Sequence, residues 1–374
     1  MAHVFVAPHP DDVALSCGGL VASLRELGQN VTIITVFSGS GGGNGSLSAY
    51  QREALGFGNK TLWPDTEAFN RSDIEADVPA SLMIGVGAGP DGSDGDLPPW
   101  AATEDRLSAT QDDADAAAKR FWQRSSWYRR ASIRNQPLAG QALIDTIPTD
   151  GAIYTDDVVA AAGAGQAVAK RRVEDERYAY FSEASIVFLD LPDAVFRGYE
   201  GDDELLGPIR DGDLSPASVA EILAREITRL EPQNVYFPLA VGNHVDHQLC
   251  RDAGIALLNQ ATRWVMPGPR WAGNVVFYED FPYAWWRSFE SLDDLPAGAL
   301  AGVPADTLLT PRYADTTEQM EKKIQGIGLY DSQIDRLFGD PKSMMATVRQ
   351  HAARIAALGG IGGSAERYWH SYQP

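Results

Sequence analysis

The sequence predicts an α/β protein: a Rossmann-like, mostly parallel sheet with helices on both faces and one large insertion. Two observations lead there. Apolar and β-branched runs of strand length alternate with helical periodicities in the order strand, helix, strand, near the start of the chain and again in its later half. Between about residues 59 and 164 that alternation loosens. The expected organisation is residues 1–58 and 165–374 as two parts of one domain, with 59–164 between them as an insertion or lid region. A chain of 374 residues is long enough for such an elaborated core.

The elements follow in order. Val4 to Ala7 is a short apolar run that reads as a buried strand. Val13 to Leu27 repeats apolar positions at helical spacing and stops at Gly28; Val31 to Phe37 is a second β-branched run. The glycine-rich stretch Ser38 to Ser46 matches no phosphate-binding fingerprint and reads as a loop beside the site. Gly87 to Trp100 reads as a loop and Asp112 to Arg130 as one helix of the insertion. Regularity returns with a helix over Gly165 to Phe181 and a strand over Ile186 to Leu189. Ser215-Pro216 opens a helix running to Leu230. Val235 to Phe237 is a strand, and His244 opens a helix reaching about Gln260. Val275 to Tyr278 is another strand, and Thr316 to Tyr330 and Lys342 to Leu358 are late helices.

Bulk properties exclude several classes. A formal net charge of −20 repels nucleic acid and anionic lipid. No apolar run is long enough to span a bilayer, and the N-terminus reads as a strand rather than a signal peptide. The two cysteines, Cys17 and Cys250, lie in apolar helical settings and read as buried thiols in a reducing compartment. A cytoplasmic protein is expected.

Chemistry concentrates in two acid–histidine clusters, His9-Pro10-Asp11-Asp12 and His244-Val245-Asp246-His247, which hold three of the six histidines. Each follows a predicted parallel strand, at the sheet edge where ligands gather. Within each cluster, residues three apart face the same side, so each aims two groups into one cleft. Asp11 or Asp12 could instead simply cap the helix at Val13. Taken together, the clusters support a hydrolytic metal site. His9, Asp12 and His247 are the expected ligands, leaving a position open for water; Asp11 is the expected general base. His244, oriented by Asp246, is expected to stabilise an oxyanion or protonate a leaving amine as an imidazolium. The helix start disfavours that charge and Asp246 favours it.

These residues resemble the PIG-L / LmbE-like family of metal-dependent N-deacetylases. Ala7 to Asp12 resembles the family's A-H-P-D-D opening, and His244 to His247 its H-P-D-H motif with Val in place of Pro. Arg171 to Glu174, with Val187 to Asp193, is similar to a sugar-binding middle segment. Lys323 to Gln333 is similar to a C-terminal K-x6-Y-x-S-Q helix. The resemblance implies zinc on His9, Asp12 and His247, with iron(II) as the other ion such ligands accept. It implies that Arg171 and Asp193 bind substrate hydroxyls. Three departures stand out: Val13 where an acid is usual, Gly242 where some members carry a tyrosine, and the insertion itself. The expected activity is removal of an acyl group from the amide nitrogen of an N-acylated sugar or glycoside. An amidase of a larger acyl or thiol conjugate, and a catalytically silent sugar-binding protein, are the alternatives.

Overall fold

The computed structural model describes residues 1–42, 45–57, 163–262, 271 and 273–372. They belong to one compact unit, Met1–Trp63 with Asp156–Pro374. The loop and helix expected within 59–162 lie outside the described residues.

The strand and helix order begins β1 (Ala2–Ala7), α1 (Asp12–Glu26), β2 (Asn30–Thr35) and α2 (Ala49–Ala54). It continues with α3 (Ala164–Phe181), β3 (Ser185–Phe188), α4 (Asp202–Leu205), α5 (Pro216–Leu230), β4 (Asn234–Pro238), α6 (Val245–Thr262) and β5 (Asn274–Tyr278). Then come α7 (Tyr283–Trp286), β6 (Leu308–Asp315), α8 (Met320–Ile327), α9 (Asp331–Phe338), α10 (Pro341–Leu358) and β7 (Ala365–Tyr372).

The seven strands form one sheet in the order β3-β2-β1-β4-β5-β7-β6. The first five run parallel, whereas β7 is antiparallel to both β5 and β6. This is the mixed, mostly parallel α/β sheet that the sequence predicts. In β1, Phe5 and Ala7 join one core cluster while Val4 and Val6 join another, so both faces are covered. That two-sided burial explains why β1 reads as an unbroken apolar run.

Ser215 caps α5 by accepting the Ser218 amide, with Pro216 at the first turn. α1 ends ahead of Gly28, whose φ of +69° suits glycine. One expected helix is cut short: Thr316 to Tyr330 is helical only from Met320 to Ile327, because Thr316 to Thr317 turn on Asp315. Here the Thr317 amide donates to Asp315 Oδ1 at 3.0 Å. Both expected thiols are buried.

Candidate active site

β1 and β4 are neighbours, and the chain leaves them toward opposite sides of the sheet, which opens a crevice beyond their carboxyl ends. His9, Asp11 and Asp12 follow β1; His244 to His247 follow β4; Asp280 follows β5. The ring centroids of His9 and His244 are 4.8 Å apart, and His247 is 5.3 Å from each.

Asp12 Oδ2 lies 3.5 Å from His9 Nδ1 and 3.4 Å from His247 Nε2, and it accepts the His9 backbone amide at 2.8 Å. Bonds of about 2.0–2.2 Å to one tetrahedral ion place ligand atoms roughly 3.4 Å apart. Two of the three separations in the expected set have that length; among the described residues the groups whose ligand atoms all lie within 4.8 Å of one another are His9, His244 and His247, and His9, Asp193 and Asp246. The other nitrogen of each histidine is held by a carboxylate. His9 Nε2 is 3.0 Å from Asp246 Oδ2, and His247 Nδ1 is 2.5 Å from Asp280 Oδ1. Such outer partners fix the ring and its tautomer so that the inner nitrogen can bind metal.

Asp246 is fully buried and also accepts the Ala194 amide at 3.0 Å and Arg197 Nη2 at 2.6 Å. Arg197 continues to Asp213. The expected pairing of the Asp246 carboxylate with His244 is not what the structure shows. Residues two apart on a first helical turn face apart, and this carboxylate turns to His9. The backbone amide of Asp246 donates to His244 Nδ1 at 3.2 Å instead. Nδ1 is then an acceptor, so the proton of the neutral ring sits on Nε2. Burial, with the nearby His9, holds the His244 pKa well below its ordinary value. The expected imidazolium is thus replaced by a neutral Nε2–H donor.

Asp11 occupies the cap position of α1 but makes no side-chain capping bond, and its backbone sits at φ 106°, ψ −33°. Non-glycine residues rarely occupy that region, and strain of this kind gathers at functional sites. Burial, reinforced by Asp12 and opposed by Arg171, pushes the Asp11 carboxyl up to about 8. Burial likewise disfavours charge on Asp12, but His247 and His9 outweigh it and bring its carboxyl down to about 2. Neither side chain acts as a helix cap.

α3 sends Arg171 into the cleft: Nη2 donates to the Pro10 carbonyl at 2.9 Å and lies 3.5 Å from Asp11 Oδ1. Arg172 faces elsewhere, onto Asp190 and the Phe188 ring. Asp193 caps a short 3₁₀ turn through Oδ1, while Oδ2 stands 3.7 Å from Arg171 and 3.8 Å from His9. Behind Arg171, the next turn of α3 is locked to α9. Glu174 accepts the Ser332 hydroxyl at 2.6 Å, and Asp175 accepts Tyr330 Oη at 2.7 Å and Thr35 Oγ1 at 2.6 Å.

His9, Asp11, Asp12, Arg171, Asp193, His244 and His247 line a cleft of about 190 Å³, together with Tyr283, Trp286, Gln333 and Arg336. The departure at Gly242 has a physical reason. A Cβ there would lie 2.3 Å from Tyr283 Cγ, so the Tyr283 ring occupies the space a side chain would need.

Two positions that sequence reading missed are Asp280 and Arg197. Asp280 lies two residues past the buried end of a parallel strand, as His9 does, which is the one signal that points to it. Arg197 carries no sequence signal; its role comes from the tertiary contact with Asp246.

A mostly parallel α/β sheet with an acid–histidine crevice at its switch point defines the class. Residues 4–61 match the PIG-L family, described as GlcNAc-PI de-N-acetylase. The chain is 31% identical over 205 residues to 2'-N-acetylparomamine deacetylase of Streptomyces fradiae, covering 54% of this chain and 65% of that protein. The chain thus spans somewhat less than two thirds of that relative. Two solved structures share the fold. One is the A40926 pseudoaglycone deacetylase Dbv21 (TM-score 0.55, 17% identity, 99% of this chain and 97% of that one). The other is the zinc-inhibited form of teicoplanin deacetylase Orf2 (TM-score 0.57, 17% identity, 100% and 99%).

Proposed function

We propose that this protein is a metal-dependent N-deacetylase that hydrolyses the amide of an N-acylated amino sugar or glycoside. The observation that supports this most is a buried, strained Asp11 free of any capping bond, beside two histidines each backed by its own carboxylate. His9 Nδ1, Asp12 and His247 Nε2 would hold the ion, zinc or iron(II). When bound, it supplies a Lewis acid for the amide carbonyl and a water of lowered pKa.

The rest is work for the chain's own groups. Asp11 takes the proton of the attacking water and returns it to the departing nitrogen, yielding acetate and a free amine. His244 donates from Nε2–H to the carbonyl oxygen as negative charge builds there. Arg171 holds Asp11 in place through Pro10 and, with Asp193, binds sugar hydroxyls. A silent sugar-binding module has no use for a strained buried acid at that position. Among the described residues no helix is long and apolar enough to cross a membrane, and we place the reaction in the cytoplasm.

The test is acetate release from 2'-N-acetylparomamine, N-acetylglucosamine glycosides and an N-acetylated glycopeptide. The protein is first stripped with chelator and then titrated with zinc or iron(II). Release that tracks metal occupancy supports the reading; no release from this substrate class at any occupancy sinks it.

A further inference from the structure

Among the described residues four arginines are buried: Arg171, Arg251, Arg336 and Arg367. Three have a carboxylate beside them. Arg171 has Asp11 and Asp193, Arg251 has Asp252 at 2.8 Å, and Arg367 pairs with Glu279. Arg336 has none at ion-pair distance among the described residues. It lines the cleft, and its guanidinium donates to the Glu53 carbonyl. None of its nitrogens is both sealed from the cleft and without a partner. Asp202, an acid on that wall that influences it, accepts Tyr50 Oη at 3.1 Å.

A guanidinium stays charged at any ordinary pH, and a buried charge without a counter-ion is costly. The other buried cations among the described residues are paired, including Lys323, whose Nζ is 2.7 Å from Glu366. The exception faces the cleft, on a helix anchored through Ser332 to Glu174 and through Gln333 to the Leu55 carbonyl. It therefore does not swing away to find solvent. The whole chain carries a net charge of −20, so an anionic ligand is repelled at long range and needs a local cation to hold it.

We propose that Arg336 anchors an anionic group of the ligand, a carboxylate or phosphate carried by the N-acyl sugar. This rests on the deacetylase reading above for the identity of the sugar, but the anion subsite can be tested without turnover. A guanidinium suits both groups because its paired N–H donors match two oxygens.

The first arm uses chelator-treated protein, so that an ion at His9 and His247 plays no part, and follows thermal unfolding with added inorganic phosphate or acetate. Wild type should gain melting temperature with at least one of the two. Arg336→Gln should lose the gain, and Arg336→Lys should keep part of it. Equal responses in wild type and Arg336→Gln, or none in either, overturn the proposal. The second arm compares metal-loaded enzyme on N-acetylglucosamine, N-acetylglucosamine 6-phosphate and N-acetylmuramic acid. One anionic sugar should show a KM about 10-fold or more below the neutral one, and Arg336→Gln should erase that difference. Acetate release with no anion preference leaves the hydrolase and removes the subsite. Anion binding without any acetate release does the opposite.

Discussion

His247 Nδ1 stands 2.5 Å from Asp280 Oδ1, and this contact turns the ring's other nitrogen toward Asp12. The pair joins the end of β5 to the start of α6, so the orientation of one expected ligand depends on a residue from a third strand.

Asp280→Asn should therefore weaken zinc binding about 10–100-fold, the usual cost of losing an outer partner. Competition against a chromophoric chelator measures it. Unchanged affinity would show that packing alone orients His247.

Asp11→Asn keeps the shape of its site and removes the proposed base. Metal content should stay near wild type while kcat falls about 10²–10⁴-fold. Turnover that survives intact would move the base role to another group.

Gly242→Ala drives a Cβ into the Tyr283 ring, 2.3 Å from its Cγ. Overpacking of this kind costs about 1–3 kcal/mol. The melting temperature should drop, and pairing the change with Tyr283→Ala should recover part of the loss. If the double variant is no better than the single one, the clash is not the cause.

Asp175 supplies a pH test away from the proposed metal ligands. Burial raises its carboxyl to about 6, despite hydrogen bonds from Thr35 and Tyr330 that favour the charged form. The unfolded chain ionises first, near the ordinary value of about 3.9, so this group makes stability fall as pH climbs from about 4 to 6. Above that the penalty is constant. Denaturant midpoints across pH 4–7 should lose this component in Asp175→Asn; an identical profile would exclude Asp175 as its source.

Much of this was legible beforehand because it is local. The apolar run at Val4 to Ala7 and the periodicity of Val13 to Leu27 announce β1 and α1, and both clusters are contiguous. β6 and β7 escaped notice. β6 contains Pro311 and two charges, and its side chains are only half-buried or exposed. In β7, Glu366 and Arg367 interrupt the apolar pattern although both are buried, satisfied by Lys323 and Glu279. The cluster residues are likewise readable as chemical types, but not their partners. Asp246 turns to His9 rather than His244 only because Arg197 and the Ala194 amide hold it there. No spacing along the chain encodes that contact.

The sheet order has a consequence for synthesis. Among the described residues β6 pairs with β7 alone, and β7 lies between it and β5. Residues 308–315 leave the ribosome first yet find no seat until 365–372 have docked on β5. A nascent chain stalled in that interval leaves the β5 edge bare and a second strand stranded, two open templates on which neighbouring polypeptides can add.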